Sequence, residues 1–120
     1  QAKADLPADV AFLRGVLCNV LVCLAVWMAA AGRSVVDKAV AVVPPVTAFV
    51  ALGFEHSVAN FFFFPLALLL EPTAAAAGLT APGAGAILGN LLPVIAGNLL
   101  GGSVLVGLSY HLIYRTRAPT

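Results

Sequence analysis

The sequence predicts an all-α integral membrane protein with three transmembrane spans, the middle one broken. Three observations carry this. Only 9% of the 120 residues are charged, against roughly 25% in a soluble domain of this size. Apolar residues make up 62% and the mean hydropathy is +1.05. The apolar stretches are of membrane-crossing length and are separated by polar links. So few charges cannot cover a water-facing surface, so the bilayer is an expected partner. The net charge of +1 leaves no basic patch for nucleic acid. The sequence offers no phosphate-cradling glycine loop and no His and Cys cluster, so no cofactor or metal is expected.

The first residues, 1–13, are mixed: Lys3, Asp5, Pro7 and Asp9 mark a loop or interfacial turn. The absence of an initiator Met and of a signal peptide reads as a fragment, or as one half of a longer protein. Residues 15–31 are almost wholly apolar, 17 in number, at the lower limit for crossing roughly 30 Å of hydrocarbon. Arg14 and Arg33 bracket this first span at the two interfaces. Cys18 and Cys23 lie within it, on different sides of a helix, as small apolar side chains.

After a polar link over residues 32–38, residues 39–70 are apolar apart from Glu55, His56, Ser57 and Asn60. Continuous helix would be roughly 48 Å long, too long for one upright span. Pro44 and Pro45 cannot donate backbone hydrogen bonds, and Gly53 is a second weak point. The predicted form is a half-helix, an irregular stretch over residues 46–52, and a second helix from about Gly53. Irregular backbone at membrane depth is tolerated only where protein buries it or where it lines a cavity, so the break points to a transport site.

Glu71 and Pro72 end the second span. Residues 73–85 read as a loop rich in Ala, Gly and Pro, or alternatively hold a short interfacial helix over residues 74–77. The last span covers about residues 87–114. Its Gly97 and Gly101 form a small-residue contact pattern, and Tyr110, Tyr114, Arg115 and Arg117 an aromatic and basic collar. Three spans place the termini on opposite sides. Arg33, Lys38, Arg115 and Arg117 on one side outnumber Lys3 and Arg14 on the other, which makes the C-terminal side cytoplasmic, or the stromal or matrix side in an organelle.

Polar groups at membrane depth are costly and are retained mostly for function. In a helix starting near Gly53, His56 and Asn60 share a face, one turn apart, with Gly53 below them, leaving room for a guest. The alternative is a histidine satisfied by a neighbouring carbonyl. Glu55 projects about 100° from His56 and reads as structural support, tying the irregular backbone through its N–H groups, as Ser57 could. Asn19, Asn90 and Asn98 are either pore-facing or interhelical links. Phe61 to Phe64 form a lipid-facing or packing run. Ser57 and His56 are adjacent and diverge, so no nucleophile–base–orienter set can be assembled, and no enzyme is expected.

Three motifs carry a resemblance that covers nearly the whole chain. Gly53-Phe-Glu-His-Ser-Val-Ala-Asn60 is similar to the signature of the formate–nitrite transporter family. Arg14-Gly-Val-Leu-Cys-Asn19 with Leu21-Val-Cys-Leu-Ala-Val-Trp-Met28 resembles its fourth span. Asn90-Leu-Leu-Pro-Val-Ile-Ala-Gly-Asn-Leu-Leu-Gly-Gly102 resembles its sixth. The resemblance implies spans four to six of a six-span, aquaporin-like fold built from an inverted repeat, assembled as a homopentamer with one pore per protomer. The missing N-terminal half would complete each pore. Carried over by motif, His56 matches the central pore histidine and Asn98 the asparagine facing it. Phe49 matches the aromatic of the cytoplasmic constriction, and Val22 and Cys23 the small apolar constriction residues. Asn19 matches a polar residue near the pore, and Lys3 falls at the spacing of a vestibule lysine. Phe61-Phe62 departs from the family, which commonly has Met there, and the 73–85 loop is short.

The function these readings imply is a channel for small monovalent anions, formate, nitrite or a similar monocarboxylate, in a bacterial inner or organelle membrane. A bare anion in a dry constriction meets a large desolvation penalty. It would therefore cross as the neutral acid or with a proton, helped by His56 and by the positive end of the second half-helix near Gly53. The alternative is a structural or assembly subunit of a membrane complex without its own pore.

Overall fold

The computed structural model describes residues 3–76, 78 and 80–115, and no strand occurs among them. The first helix, α1, spans Ala8–Ala31. It starts seven residues before the predicted span because Pro7 ends the extended entry at the N-cap and Ala8 to Leu13 hold no helix breaker. Arg14 therefore lies two turns inside α1, not at its end. Gly32 closes the helix with a bond from its N–H to the Ala29 carbonyl at 3.1 Å.

The second helix, α2, covers Val35–Ala51. Its start is a reciprocal cap: the Ser34 hydroxyl accepts from the Asp37 N–H at 3.1 Å, and the Asp37 carboxylate accepts from the Ser34 N–H at 3.0 Å. Asp37 also accepts from the Arg33 N–H. The bonds from Ser34 and Arg33 hold its carboxyl below the ordinary carboxylate range.

The predicted break over residues 46–52 is displaced. Pro44 and Pro45 lie inside α2, and the helix continues through them to Ala51. A proline lacks an N–H but keeps a helical φ, and neighbouring groups in a membrane bundle compensate the lost bonds. The interruption comes where φ has to change sign. Gly53 adopts φ +63°, its N–H bonds to the Val50 carbonyl at 3.1 Å, and the Phe54 N–H reaches the Phe49 carbonyl at 3.0 Å. These two bonds with a left-handed glycine form a Schellman closure. Chain direction resumes in α3, Ser57–Leu69, with His56 as its N-cap.

A short helix, α4, spans Glu71–Ala76, so a helix does form here, shifted from the alternative over residues 74–77. The last rod starts at α5, Ala84–Leu99, passes through a π-helical stretch, Leu100–Leu108, and ends in α6, Ser109–Arg115. Among the described residues, two elements are long and apolar enough to cross a membrane, Ala8–Ala31 and Ala84–Arg115; Ser57–Leu69 is a shorter apolar helix.

The predicted glycine seam joins these two long elements. A Cβ at Gly97 would collide with the Phe12 carbonyl oxygen, and one at Gly101 with the Val16 carbonyl oxygen. Gly15 answers from α1, where a Cβ would press on the Val94 carbonyl. The backbones thus meet without intervening side chains. At the far end, Trp27 stacks on Tyr110 at 4.2 Å between ring centroids and Tyr114 lies 5.9 Å from Trp27. The predicted collar is therefore an aromatic stack that includes Trp27; Arg117 lies outside the described residues. Of the phenylalanine run, Phe61, Phe62 and Phe63 are exposed and Phe64 is buried.

Candidate functional site

The break between α2 and α3 is where the polar side chains converge. Asn98 on α5 uses its whole amide there. Its Oδ1 accepts from the Ser57 N–H and the Ser57 hydroxyl, both at 2.9 Å. Its Nδ2 donates to the carbonyls of Gly15 at 2.9 Å and Glu55 at 3.0 Å. Two donors and two acceptor positions are all a carboxamide has, so Asn98 is a four-way tie between α1, the break and α3. Asn19 on α1 donates from Nδ2 to the Asn98 backbone carbonyl.

A second tie lies deeper. Glu55 is 1% exposed. Its Oε1 receives the Lys3 ammonium at 2.8 Å, and its Oε2 accepts from Asn60 Nδ2 at 2.7 Å. Asn60 also donates to Asn90 Oδ1 at 2.9 Å, and Asn90 Nδ2 reaches the Lys3 carbonyl at 2.7 Å. Glu55 is held through its side chain, by Lys3 and Asn60, where the sequence predicts a tie through backbone N–H groups. A buried carboxylate of this kind needs both a cation and neutral donors to offset its desolvation.

His56 stands apart from both ties. Its Nδ1 accepts from the Ala59 N–H at 3.3 Å, capping α3. The capping bond assigns the proton of the neutral ring to Nε2, which is left as the outward donor. The imidazole stacks against Phe49, with centroids 5.9 Å apart. Two hollows meet at it. One of about 330 Å³ is lined by Lys3, Phe49, Gly53 and Phe54, among others, and His56. The other, about 260 Å³, is lined by Asn19, Ser57, Ile95, Asn98 and again His56. His56 is the residue common to both.

Several sequence expectations are corrected by this geometry. His56 and Asn60 do not share a face: α3 begins at Ser57, so His56 folds back over the first turn while Asn60 points to Asn90. Asn60 is fully buried and lines neither hollow at His56. Phe49 belongs to helix α2, not to an irregular stretch, yet it does reach His56. The positive end of the second half-helix lies at Ser57; Gly53 marks the negative end of α2. Lys3 lines the first hollow while paired with Glu55. Val22 and Cys23, both half-buried, are not among the residues lining the two hollows; Cys23 packs near Gly102. Arg14 was missed. Its Nη1 donates to the Gly53 carbonyl at 3.3 Å, and the signal available was a lone arginine beside an apolar run.

The model of a family described as formate/nitrite transporter matches residues 1–112. The chain belongs to the formate/nitrite transporter family. The formate channel FocA of Escherichia coli (strain K12) is 46% identical over 111 residues, covering 83% of this chain and 39% of that protein. The nitrite transporter NirC of the same strain is 43% identical over 109 residues, covering 91% and 38%. A solved pentameric formate channel with formate bound is 40% identical, with a TM-score of 0.84, covering 96% of this chain and 49% of that one. An FNT family ion channel gives 39% and 0.76. The chain thus spans half or less of the length of the relatives it matches. Membership of this family of membrane transporters, with two apolar helices of crossing length, makes the chain part of an integral membrane protein.

Proposed function

We propose that the full-length protein is a channel for small monovalent anions such as formate or nitrite, with His56 as the central group of its pore. The observation that carries this reading is the place of His56 between two hollows, with Nε2 free to donate while Nδ1 caps α3. The names of the relatives, formate channel and nitrite transporter, supply the substrate class. The pore is completed by spans beyond this chain in an aquaporin-like, six-span protomer, and five protomers assemble, as in the solved pentameric formate channel.

In this reading an anion entering the hollow beside Phe49 loses its hydration and gains the Nε2–H bond. A proton taken up from water at Nδ1 would displace the cap to Ala59 and make the ring an imidazolium, which can give its Nε2 proton to the anion and return to the neutral ring; the anion then crosses the apolar stretches as the neutral acid. Uncharged passage removes most of the desolvation penalty. Phe49 narrows the path on the α2 side; Asn19 and the Ser57 end of α3 border it on the other, and Val22 and Cys23 form an apolar ring with the missing half. Lys3 draws anions to the entrance. Arg33, Lys38 and Arg115 face the cytoplasm. A cysteine at Val36 should be shielded from an impermeant thiol reagent outside intact cells and one at Thr73 should react; the opposite labelling would reverse this orientation.

The deciding experiment is uptake of labelled formate and nitrite by liposomes holding purified full-length protein. His56→Phe should abolish most flux while leaving the oligomer intact in detergent. His56→Asn should keep part of the flux and lose its pH dependence. An intact wild-type oligomer that passes neither anion would refute the channel reading in favour of an assembly subunit. Normal pH-dependent flux through His56→Phe would take His56 out of the mechanism.

A further inference from the structure

The five residues that join α2 to α3 are held at several backbone groups by partners from α1, α2, α3 and α5. The Phe54 N–H is held by the Phe49 carbonyl, the His56 carbonyl accepts from the Asn60 N–H at 2.9 Å, and the Glu55 carbonyl and Ser57 N–H are both held by Asn98. On the α2 side, the Gly53 carbonyl lies beyond the Schellman closure and has no place in the helix ladder. The group that meets it is the Arg14 guanidinium, at 3.3 Å. Arg14 comes from α1 and Asn98 from α5, so the break is clamped from two independent elements.

An arginine two turns inside an apolar helix is expensive unless it does something there. Ionisable groups at such positions pair with one another or with backbone carbonyls. The carbonyl end of α2 also carries the negative end of its helix dipole, which a guanidinium offsets. Gly53 sits at φ +63°, and the peptide that follows it has two anchors: its Phe54 N–H is held by the Phe49 carbonyl and its Gly53 carbonyl by Arg14. Without Arg14 only the N–H anchor remains, and a tilt of that peptide shifts the chain that leads to His56.

We propose that Arg14 is a positioning residue for His56: by holding the Gly53 carbonyl it sets the direction in which the break presents the imidazole to the two hollows. This rests on the channel reading above. The titratable and charged groups around the break are Lys3 ahead of α1, Arg14 and Cys18 on α1 and Glu55 within the break; α5 presents the neutral Asn90 and Asn98. The His56→Asn background separates the part of a changed pH profile that comes from His56 from the part that comes from this set.

The test uses the full-length protein in liposomes, with formate flux measured against pH and the oligomer followed in detergent. Arg14→Gln should lower flux per assembled oligomer by about tenfold, the kinetic equivalent of one net hydrogen bond, and flatten or displace the pH profile. Arg14→Lys, which keeps a cation that can reach the carbonyl, should restore much of both. Combined with His56→Asn, Arg14→Gln should add little. Arg14→Gln protein with unchanged flux and pH profile overturns the proposal, as does a full additive loss in the His56→Asn background. If Arg14→Gln does not assemble, Arg14→Met, which keeps the apolar stem without a donor, decides: a flattened or displaced pH profile in the assembled oligomer supports the proposal, and an unaltered profile overturns it. Wild-type protein that conducts no formate or nitrite would instead refute the channel reading itself.

Discussion

The seam between α1 and α5 and the break between α2 and α3 hold together in opposite ways. At the seam, Gly15, Gly97 and Gly101 bring backbone against backbone, and nothing there can move without separating two helices. At the break, side chains from elsewhere, Lys3, Arg14, Asn60 and Asn98, reach in and hold it by hydrogen bonds. The difference teaches how a membrane protein keeps an irregular segment in place. The rigid seam positions Asn98 and Arg14, and these in turn hold the segment that carries His56. The seam tolerates no added atom, whereas the break tolerates changes that preserve its donors and acceptors.

The largest effect is expected from attacking the seam. Gly97→Val places a branched side chain against the Phe12 carbonyl, a backbone atom that cannot swing away. Overpacking of this kind costs about 1–3 kcal/mol, and more where only backbone can yield. The full-length variant should lose its oligomer in detergent, measured by size-exclusion chromatography. An intact oligomer would show that the helices separate more easily than the contact implies.

Next comes the deep tie at the break. Glu55→Ala leaves one of the two Asn60 Nδ2 hydrogens unpaired at full burial, the other staying on Asn90, and releases Lys3, which is 39% exposed and can turn to water. The unsatisfied amide dominates, so the loss should be about 1–3 kcal/mol. A lowered melting temperature with the oligomer still formed at 4 °C, at roughly ice temperature, would place this variant between wild type and Gly97→Val. A melting temperature equal to that of wild type would mean that the tie contributes nothing net.

A smaller effect, on function and not on stability, is expected at Phe49. Phe49→Ala opens the hollow beside His56 without touching either clamp, so melting should change little. The ratio of acetate to formate flux should rise by about tenfold, the lower end of the range that small size differences give in apolar pockets. An unchanged ratio would make Phe49 a packing residue.

The smallest change is at the exposed cap of α2. The bonds from Ser34 and Arg33 hold the Asp37 carboxyl below its ordinary value of 3.8. A group with a depressed folded-state pKa contributes stability above its unfolded value and loses it as pH falls through the folded one. Acidification from neutral pH to below 3.8 should therefore narrow the melting difference between wild type and Asp37→Asn. A difference that stays constant with pH would show that the charge of Asp37 is irrelevant to the cap.

Much of this molecule is determined by its sequence alone. Composition and the lengths of the apolar runs set the membrane class, because a chain with 9% charged residues cannot solvate a surface. Gly97 and Gly101 announced the seam, since their spacing places both on one helix face. Glu55, His56 and Asn98 stood out as polar groups in hydrocarbon. What only tertiary structure decided is where α2 ends and what each polar group then meets. Pro44 and Pro45 looked like the breakers, but a proline's φ suits a helix; the positive φ of Gly53 is what turns the chain. That shift of a few residues takes His56 out of helical register, makes it a cap with a free Nε2, and turns Asn60 away toward Asn90. The partners of Arg14, Lys3 and Asn98 lie 39 to 87 positions away in the chain. No local pattern encodes pairings at that range, because they depend on how close the glycine seam lets α1 and α5 approach.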